Sequence, residues 1–189
     1  MKTYLFLILN LCAILLISFK TSGQENTEPE TGKDDKRGMH QLTLVISHSV
    51  IAPGKNSERL TVPSWAIDYD YWISSHWAVG LHNDITLESY EVIDSGSEEG
   101  NLIERTHPIT SVAAVVFKPK KHSSFILGMG AEFSKEENLF MTRIGYEYGW
   151  EIGNKWDLGA GIVYDIKWHT YDTWIIGLGV SKFFGGKEE

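Results

Sequence analysis

Along Arg143 to Trp168 the chain reads RIGYEYGWEIGNKWDLGAGIVYDIKW, and its residue types alternate. One set of alternate positions holds Ile144, Tyr146, Tyr148, Trp150 and Ile152, then Trp156, Leu158, Ala160, Ile162, Tyr164, Ile166 and Trp168. The other holds Arg143, Gly145, Glu147, Gly149 and Glu151, then Asp157, Gly159, Gly161, Val163, Asp165 and Lys167. A period of two is the mark of a strand, and Gly153-Asn154-Lys155 is a turn, so this stretch predicts a β-hairpin. The pattern recurs from His40 onward with no helical period. It predicts eight strands, at 40–51, 60–73, 77–92, 101–117, 124–133, 139–152, 156–168 and 173–184. Short connections, Ser74-Ser75-His76, KPKKHS (118–123) and Gly153-Asn154-Lys155, alternate with a longer, more acidic set: APGKNSER, IDSGSEEG, SKEEN and HTYD. Four successive hairpins make an up-and-down meander.

Alternation does not say which face meets the solvent, or whether that solvent is water or lipid. Gly80, Gly128, Gly130, Gly145, Gly149, Gly159, Gly161, Gly177 and Gly179 all fall on the polar face. Glycine weakens a strand that faces water. Inside a narrow eight-stranded barrel, small residues make room for large polar ones. The apolar face carries aromatics at two levels. One rim holds Tyr71, Trp77, Phe117, Phe125, Trp150, Trp156 and Phe184, and the other holds Trp65, Phe133, Phe140, Trp168 and Trp174. Aliphatic residues such as Ile67, Leu81, Val115, Leu127, Ile144, Leu158 and Leu178 lie between. Two aromatic belts around an aliphatic band match a bilayer and its two interfaces. The expected fold is therefore all-β: an eight-stranded antiparallel up-and-down transmembrane β-barrel, apolar outside and polar within.

The N-terminus adds a destination. Lys2 precedes an apolar run from Leu5 to Phe19, and Thr21-Ser22-Gly23 offers small residues for cleavage. This reads as a signal peptide over 1–23, followed by a polar, disordered periplasmic leader over 24–38, the barrel over 39–184 and a tail over 185–189. The only cysteine, Cys12, lies inside the apolar run, so the mature chain is expected to hold no disulfide and no cysteine nucleophile. The formal charge of −8 argues against binding nucleic-acid phosphate.

With export, eight strands and an inverted pattern in place, His40 to Phe184 resembles the small eight-stranded outer-membrane barrels of Gram-negative bacteria, the OmpX, OmpW and OmpA-barrel type. The last strand, TWIIGLGVSKFF, resembles the alternating aromatic signal read by the barrel assembly machinery, although five residues follow it here. The resemblance implies an outer-membrane location, a monomer, and outer-membrane lipids, lipopolysaccharide and that machinery as partners, with no cofactor. It does not fix a function, because such barrels include adhesins, lipid-modifying enzymes, narrow channels and anchors.

Candidate chemistry lies on the inward face. Asp68, Asp70, Asp84, Glu88, Glu104, Glu132, Glu147, Glu151, Asp157 and Asp165 are assigned there, against Arg143 and Lys167, with His82 between. Unpaired buried charge is costly, and three readings stay open. The first is a polar network of Asp70, His82, Asp84, Glu132, Arg143, Glu147, Asp165 and Lys167. The second is a cation near His82, Asp84 and Asp70. The third is a narrow, cation-preferring path. The alternative from another class is a lipid-A-modifying acyl hydrolase using His48, Ser49, His169 and Asp172. Against it, adjacent His48 and Ser49 point to opposite faces of one strand. Arg105 and His107 fall on the lipid side in this register, where a phosphate contact is conceivable. The expected function is that of a non-enzymatic outer-membrane barrel, either envelope-structural and surface-binding or narrow and porin-like with an acidic interior.

Overall fold

The structure, a computed structural model, describes residues 36–52, 59–93, 102–168 and 170–186. The expected signal peptide and most of the leader lie outside these residues. The strands are β1 (Met39–Ala52), β2 (Leu60–Trp72), β3 (Trp77–Thr86), β4 (Tyr90–Ile93), β5 (Leu102–Arg105), β6 (Ile109–Lys120), β7 (Ser123–Phe133), β8 (Leu139–Gly153), β9 (Trp156–Lys167) and β10 (Asp172–Gly185). Eight of them close a barrel in the order β1-β10-β9-β8-β7-β6-β3-β2, while β4 and β5 pair only with each other. The seam between β1 and β10 is antiparallel and runs from Met39 opposite Gly185 to Ala52 opposite Asp172.

The faces are as the alternation predicts. Outward residues are bare: Ile46 is 66% exposed, Leu178 62% and Phe140 68%. Both expected aromatic rims lie on this outer face. Inward residues are mostly polar or small, with apolar clusters toward the two ends, and every glycine assigned to the polar face lies inward. Two glycines show why. A Cβ on Gly80 would collide with the Asp70 carboxylate and the Tyr69 carbonyl, and one on Gly159 would sit 3.0 Å from Glu147 Oε1. The wall is thinned where a charged side chain crosses the interior. In the β8–β9 turn, Asn154 and Lys155 both take positive φ, +52° and +64°, as a tight hairpin turn requires.

The structure departs from the sequence reading at the third and fourth strands. They do not run unbroken through 77–92 and 101–117. Each stops at the barrel rim and resumes as β4 or β5, a separate hairpin. Pro108, fully buried, and His107, at φ +43°, mark the break on the returning side. The hairpin is packed over the barrel mouth: Tyr90 and Val92 of β4 join Ile51, Val62, Leu139 and Tyr171 in one apolar cluster, with Ile103 of β5 against it. At the other end β6 runs on to Lys120, so the expected turn KPKKHS shrinks to Lys121-His122. Lys36 to Gly38, expected as the end of a disordered leader, are ordered against that end of the barrel, where Gly38 N donates to Trp72 O at 2.8 Å.

Candidate functional site

The interior is the candidate site, and it divides into three levels. At the end of the long loops, Glu132 from β7 is 3% exposed and is held from three sides. Arg105 Nε and Nη2 donate to its Oε1 at 2.9 and 2.5 Å. Tyr171 OH donates to the same oxygen at 2.6 Å, and Lys167 Nζ lies 3.3 Å from Oε2. Tyr90 OH meets Tyr171 OH at 2.8 Å, and Arg105 Nη1 donates to the Glu137 carbonyl at 2.7 Å. Lys167 also donates to Thr173 Oγ1 at 2.7 Å. Burial pushes the phenols of Tyr90 and Tyr171 well above their ordinary value, aided by Glu132, so both stay protonated and can donate. Arg105 corrects the sequence reading. It is not on the lipid side: the break before β6 turns it inward, fully buried, where it clamps the β4–β5 hairpin onto Glu132.

At mid-height Arg143 is 2% exposed and grips Asp165 with a two-pronged bond, Nε to Oδ1 and Nη2 to Oδ2, both at 2.7 Å. Its Nη2 also lies 2.7 Å from Asp84 Oδ2. That contact is an ion pair off hydrogen-bond alignment, since Oδ2 makes no hydrogen bond. His82 Nε2 lies 3.1 Å from Asp70 Oδ1. The three cation candidates therefore do not converge: His82 and Asp70 hold each other, and Asp84 turns to Arg143. Among the described residues no group of three or more His, Cys, Asp or Glu side chains is placed to hold a metal ion.

At the end of the short turns the closure is mostly apolar. Trp72, Ala78, Ala114, Val116, Ile126 and Phe183 form a second cluster. Trp72 Nε1 donates to Gln41 Oε1 at 2.9 Å, and Gln41 Nε2 donates to Ser181 Oγ at 3.1 Å. Among the described residues, two interior cavities of about 60 and 30 Å³ are both lined by Asp68, His82, Ile126 and Glu147. Each has space for a few waters and for no larger solute. Asp68 Oδ1 has no protein hydrogen-bond partner.

All eight residues of the expected network face inward, but in separate groups: Glu132 with Lys167, Arg143 with Asp84 and Asp165, and His82 with Asp70, while Glu147 lines both cavities. Three of the acids assigned to the inward face are not there. Glu88 and Glu104 sit beyond the barrel rim and Glu151 at the short-turn edge, all exposed, with Glu151 paired to Lys121 at 3.3 Å. Three cations that the sequence reading missed are inside: Arg105, Lys118 and Lys36. The hydrolase candidates do not assemble. His48 faces outward, Ser49 faces inward and bonds Ser64 Oγ at 2.9 Å, and Asp172 accepts from Tyr164 OH at 2.6 Å. His169 lies outside the described residues.

The sequence matches no family model and no curated protein. The likeness is one of structure. The attachment invasion locus protein Ail of Yersinia pestis matches with a TM-score of 0.50 and 13% identity, over 77% of this chain and 99% of Ail. The N-terminal barrel of Pseudomonas aeruginosa OprF matches with a TM-score of 0.49 at 10% identity, over 78% of this chain and 98% of that one. Neisserial surface protein A gives 0.47 at 12%, over 78% and 100%. At such identity the likeness to Ail speaks for the fold, and the setting follows from the surface. A closed sheet leaves no backbone group unpaired in hydrocarbon, and this one shows aliphatic residues between two aromatic rims to the outside. The chain folds as a small eight-stranded transmembrane β-barrel, the fold of the outer-membrane proteins it resembles.

Proposed function

We propose that the protein is a non-enzymatic, non-conducting barrel that anchors a folded surface element in the outer membrane. The observation that carries this is the closure of the interior at three separate levels, by Glu132 with its partners, by Arg143 with Asp84 and Asp165, and by the Trp72–Phe183 cluster. The porin-like alternative needs a continuous path, and the two interior cavities of about 60 and 30 Å³ do not supply one. The loop end carries the β4–β5 hairpin, clamped from beneath by a buried arginine, which suits a surface that is presented rather than one that gates.

Ail, the structural neighbour, is named for attachment, and a second Ail structure holds the heparin analogue sucrose octasulfate. Attachment fits the presented hairpin here, but a polysulfate does not. Glu88, Glu91, Glu104, Glu136 and Glu137 are exposed at the loop end, and their field repels anions. Outer-membrane lipids and lipopolysaccharide surround the belt in this reading, the barrel assembly machinery inserts it, and the protein works as a monomer. Planar bilayers test the proposal. The purified barrel should give no discrete current steps, and cation-selective steps of fixed size would restore the porin-like reading.

A further inference from the structure

The mouth at the short-turn end has one polar side, and a lysine from outside the barrel fills it. Lys36 precedes β1, and its chain folds back through a tight turn: Met39 N donates to Lys36 O at 2.9 Å, and Gly38 takes φ +76°. The Lys36 ammonium then lies 3.3 Å from Asp157 Oδ2, 3.8 Å from the centroid of the Phe183 ring and 5.4 Å from that of Trp72. The side chain is 12% exposed. The three partners come from β9, β10 and β2, so barrel closure alone assembles them. The Trp72 indole nitrogen is engaged by Gln41, which fixes the ring. A carboxylate beside two aromatic rings is the chemistry that holds an ammonium group. Directly behind, the smaller cavity is lined by Asp70, Glu147 and Asp157, and their charge draws a cation inward. Lys118 lines the same cavity beside Lys36 and opposes the hold.

We propose that Trp72, Phe183 and Asp157 form a binding cage for a primary alkylammonium group, and that Lys36 is its ligand in the same chain and the stopper of the polar half of the mouth. The cage selects by charge and face-on aromatic contact. It therefore accepts any slender alkylammonium once Lys36 is withdrawn. With Lys36 in place, the segment before β1 is fixed at the barrel mouth.

The test uses the full chain with Cys12→Ser as background and Ser181→Cys as reporter. Ser181 faces inward one step above Phe183 and is 2% exposed. A small, neutral methanethiosulfonate should label this cysteine slowly. Lys36→Ala should speed labelling by about tenfold, the scale of a desolvated cation–π contact. Millimolar n-butylammonium should then restore the slow rate, and n-butanol should not. Lys36→Met keeps the stem without the charge, and it should label as fast as Lys36→Ala. Heat-dependent gel mobility confirms the folded barrel in each variant. An unchanged rate in Lys36→Ala overturns the stopper. Protection by methionine, or indifference to butylammonium, overturns the cage. All variants should stay silent in bilayers, because the Arg143 and Glu132 levels remain closed. Current in Lys36→Ala would overturn the closed-barrel reading instead.

Discussion

The two halves of the interior are shut by different physics. Toward the long loops, closure is ionic: Glu132 lies between Arg105 and Lys167, and Tyr171 donates to it. Toward the short turns it is packed: Trp72 and Phe183 meet with ring centroids 6.5 Å apart over small aliphatics, and Lys36 adds a single charge. Removing one partner from a buried ionic group leaves the others without a counter-charge, whereas trimming an apolar cluster loses only contact. The loop half should therefore be brittle toward isosteric changes that the turn half tolerates.

Several substitutions would break or sharpen that contrast. Glu132→Gln keeps shape and volume but leaves Arg105 and Lys167 buried without their anion. It should cost about 3–5 kcal/mol, read as a lower denaturant midpoint in detergent micelles. Two glycines make a milder pair. A Cβ on Gly130 would run into the Ser111 carbonyl and approach Val112 Cα to 2.7 Å. Gly130→Ala, in the loop half, should cost about 1–3 kcal/mol in the same assay. A Cβ on Gly149, in the turn half, meets nothing nearer than 3.9 Å. Gly149→Ala should stay within about 0.5 kcal/mol of wild type. Trp72→Phe keeps a ring in the cluster but leaves a small void and loses the bond to Gln41, so a loss of about 1–2 kcal/mol is expected. If it proves as damaging as Glu132→Gln, the two halves are alike and the contrast fails. The smallest effect is assigned to His48→Ala, on the outer face, with a stability change within about 0.5 kcal/mol. Mass spectrometry should find lipid A identical with and without that change, and a lost deacylated product would revive the hydrolase.

The membrane face was legible in the sequence because the pleat has a strict period of two, and two polar residues on the outer face, Asn83 and Ser111, satisfy each other at 2.8 Å. Arg143, Glu147 and Asp165 were therefore placed inward correctly. The rims were harder. At Arg105 the parity of a continuous fourth strand fails, because β5 belongs to a different sheet and the chain rejoins the barrel only after Pro108. Pro108 holds that signal: proline has no N–H for the ladder and is confined to strand starts, edges and bulges. The turn expected over KPKKHS takes Lys118 out of the strand, yet β6 runs through Pro119 to Lys120, since proline near the end of a strand is tolerated. The sequence did contain one warning. Ten acids assigned to the interior against Arg143 and Lys167 made an imbalance that a barrel interior cannot hold. The structure resolves it from both sides, moving Glu88, Glu104 and Glu151 out and bringing Arg105, Lys118 and Lys36 in. The Lys36 contact was beyond sequence reasoning, since it joins a residue before the first strand to one in the ninth.

The seam between β1 and β10 has a consequence for biogenesis. It joins β1 to β10, so β10 must be made before the cylinder can exist. Until then both margins of the growing sheet present a full row of amide and carbonyl groups, which hydrocarbon rejects. A chain truncated before Asp172 lacks the whole of that final strand and keeps two raw margins. Pairing of those two margins is what lets the sheet enter hydrocarbon as one unit.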